Sequence, residues 1–412
     1  MIRYHASWVL PIAEPPLRDG WIAVDRERVA AYGAYGAVTR RAAAHAESHE
    51  VDLGRVAVLP GLVNAHTHLE LSYLRDQVLP APDFPTWIRR VMAARRQRPS
   101  PRAPEILDAM ALAIEEAEAF GTAVVGDISN TLVSFAPLAR SRLAGVVFFE
   151  LLGFDVTNPV DLVAHARREL ASLGPADRVR TSLAAHAPHT VAPLVLRAIH
   201  QSLEGDPFAP CSVHLAESVE EVEFIRTGEG PWRRLLEEAG VWNAAWSAPG
   251  VSPVQFLDDA GFLDRRLLVV HGVQMTTEDL SRIASHGATL VTCPRSNGHT
   301  GAGAPPIGDF YSSGARIAVG TDSLASAPDL SVFAELATLR ALAPSVPASR
   351  LLASATVEGA RALGFDADYG TIEPGKSARL LAIDIPGDVG DVEEYLVSGV
   401  SQEQIRWIGS ET

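Results

Sequence analysis

Lysine is nearly missing from this chain of 412 residues: Lys376 is the only one, and every other strong cation is an arginine. Cysteine is almost as scarce. Cys211 and Cys293 both lie inside apolar runs, which excludes a disulfide framework and fits a reducing, cytoplasmic setting. Positive charge is short as well, since 35 lysines and arginines against 50 acidic residues leave a formal charge of −15. That balance argues against a nucleic-acid partner, because binding phosphates requires cations that displace counterions. No run of about 18 apolar residues is present to span a bilayer, so no membrane partner is expected. Near the amino terminus, Arg3 precedes only a short apolar stretch that Glu14 and Arg18 soon interrupt, which does not read as a secretory leader.

What the chain does have is a large apolar share, 47%, enough for one large domain plus an appendage. Its middle alternates short β-branched runs with helical stretches, the pattern of βα units and a parallel sheet. Eight strands are expected, centred near Val63, Val125, Val147, Leu183, Val213, Val270, Val291 and Ala318. Helices are expected between them, for instance over 104–120 and 217–227. Eight such repeats predict an α/β fold, a (β/α)8 TIM barrel. Both flanks read instead as short β segments, around Trp21 to Asp25 and Leu380 to Ile383. The expected organisation is a small β-sandwich domain from residues 1–58 and 366–412, and a hydrolase barrel over 59–365. The long connection 228–255 holds Trp232, Trp242 and Trp246 and reads as a packing insert.

Residues 60–68 read Pro-Gly-Leu-Val-Asn-Ala-His-Thr-His. Side chains at i and i+2 of a strand share a face, so His66 and His68 would project together, as two imidazoles closing on one ion must. With 13 histidines in the chain, such a pair arises readily by chance; its weight comes from its surroundings. Barrel enzymes carry their chemistry at the carboxyl ends of strands, and there the sequence places His66 and His68, His186, His214 with Glu217, His271, and Asp322. Three neutral imidazoles and a carboxylate make a site suited to one divalent ion, Zn²⁺ first and Fe²⁺ second, with a position open to water. His66, His68, His214 and Asp322 are the expected ligands. Glu217 is the expected proton carrier, with His271 and Asp322 as further catalytic groups and His186 on a substrate heteroatom. His165, His200, His286, His5, His45 and His49 carry no such expectation; His189 and His299 fall in loops at the active-site end.

At these motifs the chain resembles the amidohydrolase superfamily, in the branch of cytosine, guanine and S-adenosylhomocysteine deaminases and triazine chlorohydrolases. The match runs through PGLVNAHTH at 60–68, HAPHTV at 186–191, HLAES at 214–218, HG at 271–272, CPRSN at 293–297 and GTDS at 320–323, and reaches the flank in GTIEPGKSARL. Arg379 departs from it, standing where the family commonly has an aspartate. Binuclear members of the superfamily bridge two metals with a carboxylated lysine, commonly from strand four. Strand four here has none and Lys376 lies in the other domain, so one metal per chain is implied. Dimers are common in the family, so a homodimer is implied too.

The resemblance implies hydrolytic deamination of an aminated heterocycle, purine or purine-nucleoside-like, releasing ammonia. Triazine dehalogenation and ring-opening of a cyclic amide, as in imidazolonepropionase, would use the same groups; a non-catalytic relative would be expected to lose metal ligands, and a binding module without turnover would have no need of Glu217. HTHLELS together with GTDSLAS looks like the aminodeoxyfutalosine deaminases. Phe84, Pro85 and Trp87 read as an aromatic lid over a flat ring. Glu70 and Glu150 are the candidates for the ribose-binding glutamate of adenosine-type deaminases, and Arg295, Ser296 and Asn297 for further substrate contacts.

Overall fold

The computed structural model describes residues 1–34, 49–206, 209–387 and 389–409; His45 lies outside them. The eight expected strands are β6 (Leu62–Thr67), β7 (Thr122–Ser129), β8 (Ala144–Leu151), β9 (Val179–Ala185), β10 (Cys211–Leu215), β11 (Leu267–His271), β12 (Thr289–Thr292) and β13 (Arg316–Val319). They pair in chain order, every neighbour parallel. The helical stretches fall between them, with Pro104–Ala119 and Val219–Thr227 matching the sequence pattern within two residues. Helix starts follow ordinary capping chemistry: the side chains of Asp83, Asn158, Ser218, Ser252 and Thr276 each accept from a backbone N–H in the first turn.

The sheet closes where β13 returns to β6. Thr321 and Asp322 both donate their backbone N–H to the His66 carbonyl, at 3.1 and 3.0 Å, and Asn64 exchanges two side-chain bonds with Thr321 at 2.7 and 3.0 Å. Gly320 permits this seam, because a Cβ there would lie 2.7 Å from the His66 carbonyl oxygen and 3.0 Å from Cys293 Sγ. Val63, Val124, Phe148, Val270, Val291 and Ala318, from six of the eight strands, meet in one apolar cluster, the filled interior expected of a small barrel.

The flanks build a second sheet from β1 (Ile2–Val9), β2 (Leu17–Asp25), β3 (Arg28–Ala34), β4 (His49–Asp52), β5 (Val56–Pro60), β14 (Leu380–Asp384) and β15 (Ile405–Trp407). It is one branched sheet, ordered β15-β14-β5-β1-β2-β3 with β4 on β1, and it packs its own apolar cluster of Val9, Ile22, Val29, Val58, Ile372 and Leu380. β5 and β14 pair antiparallel over five positions, from Val56 with Asp384 to Pro60 with Leu380. Arg379, the departure from the family pattern, has a structural partner here: its guanidinium lies under the Trp407 ring at 3.7 Å and pairs with Glu118 of the barrel at 2.9 Å. Among the described residues no helix is long and apolar enough to cross a membrane.

Candidate active site

Four side chains converge at the carboxyl end of the barrel. Ligand atoms of His66, His68 and Asp322 lie within 4.8 Å of one another, with Asp322 Oδ1 3.8 Å from His66 Nε2 and 3.5 Å from His68 Nε2. The ring of His214 stands 5.0 Å from that of His66 and 5.4 Å from that of His68. Both ring nitrogens of His66 are buried without a partner. An imidazole so placed costs free energy unless something binds it, and this donor set of three imidazoles and a carboxylate fits a divalent cation. Burial, then the neighbouring histidines, hold His66 far below the ordinary histidine range, so it is neutral, as a ligand must be. Burial also lowers His68, against the pull of Asp322. For Asp322 burial acts upward, yet His68, His271 and the Ser296 hydroxyl outweigh it and keep the carboxylate ionised.

Backbone strain sets this floor. Among the described residues only eight other than glycine have positive φ, and three of them are Ala216, His271 and Asp322, at 50°, 77° and 59°, at the ends of β10, β11 and β13. Each such residue costs about 1–3 kcal/mol and persists only where its surroundings over-determine it. Asp322 is held by Ser296 Oγ at 2.5 Å, Ser326 Oγ at 3.2 Å and the Ser323 N–H at 2.8 Å. His214 Nδ1 donates to the His186 carbonyl at 2.9 Å, which leaves Nε2 as its metal-facing nitrogen. Asn297 Nδ2 donates to His271 Nδ1 at 3.0 Å, so the His271 proton sits on Nε2, 3.5 Å from Glu217 Oε1. His66, His214 and His271 form a second ligand-compatible group, but that protonated Nε2 suits His271 to donating rather than ligating. Burial, then the charges of Asp322 and Glu221, push the Glu217 carboxyl well above its ordinary range.

Above this floor opens a cavity of about 660 Å³ lined by His68, His214, Glu217, His271 and Asp322 at one end and by Phe84, Trp87, Leu152, Phe154, Trp232 and Leu236 at the other. That volume suits a small-molecule ligand. His186 and Glu150 line it too. The Thr190 hydroxyl donates to the Ala187 carbonyl and so accepts from His186 Nδ1 at 2.6 Å, leaving Nε2 as an acceptor; burial brings His186 down to about 4. Glu150 takes 2.8 Å from Asn130 Nδ2 on one oxygen, while its other oxygen is buried with no hydrogen-bond partner, 3.5 Å from His214 Nδ1.

Four expected substrate contacts fall elsewhere. Glu70 does not line the cavity: its carboxylate accepts from Ser129 Oγ, the Asn130 N–H and Thr131 Oγ1 at 2.8, 3.0 and 2.7 Å, fixing the loop after β7. Arg295 points away into Glu335 and Asp329 at 2.6 and 2.8 Å, because in the helix Pro294–Thr300 it lies off the buried face formed by Pro294, Ser296, Asn297 and Thr300. Ser296 supports Asp322 from behind, and Asn297 supports His271. Lys376 pairs with Glu373 and Thr371 near the second sheet, at 2.8 and 2.7 Å.

Other cavity residues carried weak or no signal in the sequence. Asn130 directly follows β7, a position the strand-end rule could have flagged. Arg95 sits in an arginine-rich run with nothing to distinguish it. Trp232 belongs to the insert 228–255, which both packs and lines: Trp232 stacks on His189 at 3.8 Å between ring centres, while Trp242 and Trp246 pack on Phe154 and Phe224.

The sequence model of the amidohydrolase family matches residues 57–403. An aminodeoxyfutalosine deaminase of Deinococcus radiodurans is 33% identical over 357 residues, 84% of this chain and 81% of that protein. A 5-methylthioadenosine/S-adenosylhomocysteine deaminase of Moorella thermoacetica is 28% identical over 419 residues, covering 95% of this chain and 91% of its own. Among solved structures, an adenosine deaminase from Xanthomonas campestris with bound zinc matches with a TM-score of 0.82 at 26% identity, over 98% of this chain and 90% of its own. A family match across most of its length, on a barrel whose strand ends carry the matching motifs, means that this chain belongs to the amidohydrolase family.

Proposed function

We propose that this chain is a hydrolytic deaminase of purine nucleosides, dependent on one Zn²⁺ ion held by His66, His68, His214 and Asp322. The observation that carries the reading is the buried Glu217 carboxyl, facing His271 Nε2 at 3.5 Å beside that donor set. The ion, when bound, supplies a Lewis acid that makes an attacking water available near neutral pH. Hydrolysis then requires two proton movements. The water oxygen bonds to the ring carbon that bears the amine, and Glu217 carries one water proton to the adjacent ring nitrogen. The second proton passes by way of the Asp322 carboxylate to the amine, the C–N bond breaks, and ammonia leaves. His271, protonated on Nε2, donates to the oxygen that develops charge.

Glu150 and His186 would face the sugar: a carboxylate with a free oxygen beside a neutral imidazole acceptor is complementary to hydroxyl donors. Trp87, lining the cavity with Phe84, would lie against the base. The names of the relatives support the nucleoside reading, and the scarcity of lysine supports a single ion. The test is ammonia release from adenine nucleosides and their 5′-substituted derivatives, run beside aminated pyrimidines and triazines. Turnover of an adenine nucleoside that Glu217→Gln slows by about 10³-fold is the expected result; chloride release from a chlorotriazine with no nucleoside turned over would defeat the reading.

A further inference from the structure

Four residues after Glu217 stands a second buried glutamate, for which the chemistry above has no use. Glu221 is 1% exposed, and among the described residues it does not line the cavity. It sits at the third position of the helix Val219–Thr227, whose first turn is capped by Ser218 Oγ accepting from the Glu221 N–H at 3.3 Å. In the usual reciprocal cap, a glutamate there reaches back to the backbone N–H of the capping residue itself. This one reaches past it, accepting from the N–H of Ala216 on Oε1 at 2.9 Å and from that of Glu217 on Oε2 at 3.1 Å.

We infer that Glu221 is a positioning residue whose carboxylate holds Ala216 in its left-handed conformation and thereby aims the Glu217 carboxyl at the reacting atoms. Ala216 is clamped from both sides: its N–H by Glu221, its carbonyl by the Gln274 N–H at 2.8 Å. The strained φ of 50° is therefore over-determined by two bonds on opposite faces of the residue. The helix carrying Glu221 is itself anchored, with Phe224 and Ile225 fully buried and Phe224 stacked on Trp246 at 4.9 Å. Removing the carboxylate would leave two buried N–H groups without acceptors, and the turn between β10 and the helix would relax to recover them. A relaxation of about 1 Å at Glu217 suffices to cost roughly 100-fold in rate.

The test compares Glu221→Ala and Glu221→Gln with the parent protein, each loaded with zinc. Crystal structures should show Ala216 leaving the left-handed region and the Glu217 carboxyl displaced from His271 in the alanine variant. On a substrate the parent turns over, kcat should fall roughly 30- to 100-fold for alanine with KM within about threefold, and should fall for glutamine too, whose amide keeps one acceptor but sets an NH2 against the other backbone N–H. In a Glu217→Gln background, Glu221→Ala should cost less than about twofold more, because it acts through Glu217. An unmoved Glu217, losses that multiply in the double variant, or a rise in KM matching the fall in kcat would overturn the inference. Should the alanine variant not fold, the same three measurements on glutamine decide. The kinetic arm rests on the deaminase reading. If the parent releases no ammonia, that reading fails while the crystal structures still decide the positioning role.

Discussion

The two ends of the cavity are built from opposite materials. The floor is made of strand ends, and its residues are strained, polar and bonded from behind: Ser296 and Ser326 to Asp322, Asn297 to His271, the His186 carbonyl to His214. The outer wall comes from helices, the insert and the loop after β8, and its residues are apolar and meet mainly through ring contacts, as Phe84 does with Trp87 and Trp232 at 5.9 Å each. A floor of this kind fixes a reaction, because each group is oriented by a bond from behind it. A wall of this kind sets which molecule is admitted, and it can be exchanged without disturbing the floor.

Separating these roles by mutation gives effects of decreasing size. His66→Ala should abolish turnover and zinc content together, measured by ammonia release and elemental analysis of the same sample; retained activity in a metal-free variant would break the division. Glu217→Gln should lower kcat by about 10³-fold with zinc content near one ion per chain in variant and parent alike. A value near two would show that the floor holds more than the donor set assigned to it. Trp232→Ala, on the wall, should raise KM roughly 10-fold with kcat within about threefold, through lost ring contact with substrate. A fall in kcat at unchanged KM would mean that wall and floor are coupled.

The smallest effect sharpens the comparison beneath the floor. Asp127 accepts from the Leu69 N–H at 2.8 Å just beyond His68, and burial pushes its carboxyl up to about 7. Because the folded pKa lies above the unfolded one, the native state keeps a proton that the unfolded chain has released between about pH 4 and 7, so this group's contribution to stability falls as pH rises through that window. Asp127→Asn should therefore gain on the parent between pH 5 and pH 8, by a Tm difference on the order of 1–3 °C. An equal difference at both pH values would show Asp127 to be ionised throughout.

How far the sequence could be read follows the same division. All eight barrel strands were legible, because parallel strands buried on both faces need continuous β-branched runs and end in turns. The floor residues were legible because such barrels confine their chemistry to strand ends, where a histidine or aspartate after an apolar run has few other reasons to stand. The wall was not. Glu70 and Ser296 lie beside motif residues in sequence yet face the loop after β7 and Asp322, since neither the short helical turn Leu69–Leu74 nor the helix Pro294–Thr300 reveals its rotation in one sequence. Trp232 was legible as a residue to be buried, but not as one that lines a cavity, because its helix is placed by tertiary contacts alone.

The pairing of β5 with β14 sets a timetable for synthesis. Val56 to Pro60 leave the ribosome long before Leu380 to Asp384 exist, and at about 5–20 residues per second the interval is roughly 15–60 s. Through that time β5 presents an unpaired edge of fully buried-type residues, Val56, Ala57, Val58 and Leu59, the kind of edge that invites pairing with another chain. The barrel can close on its own seam at Thr321 and Asp322 while the second sheet still waits for its last strands. Slow translation lengthens the interval over which that edge stays open without changing any contact of the finished fold.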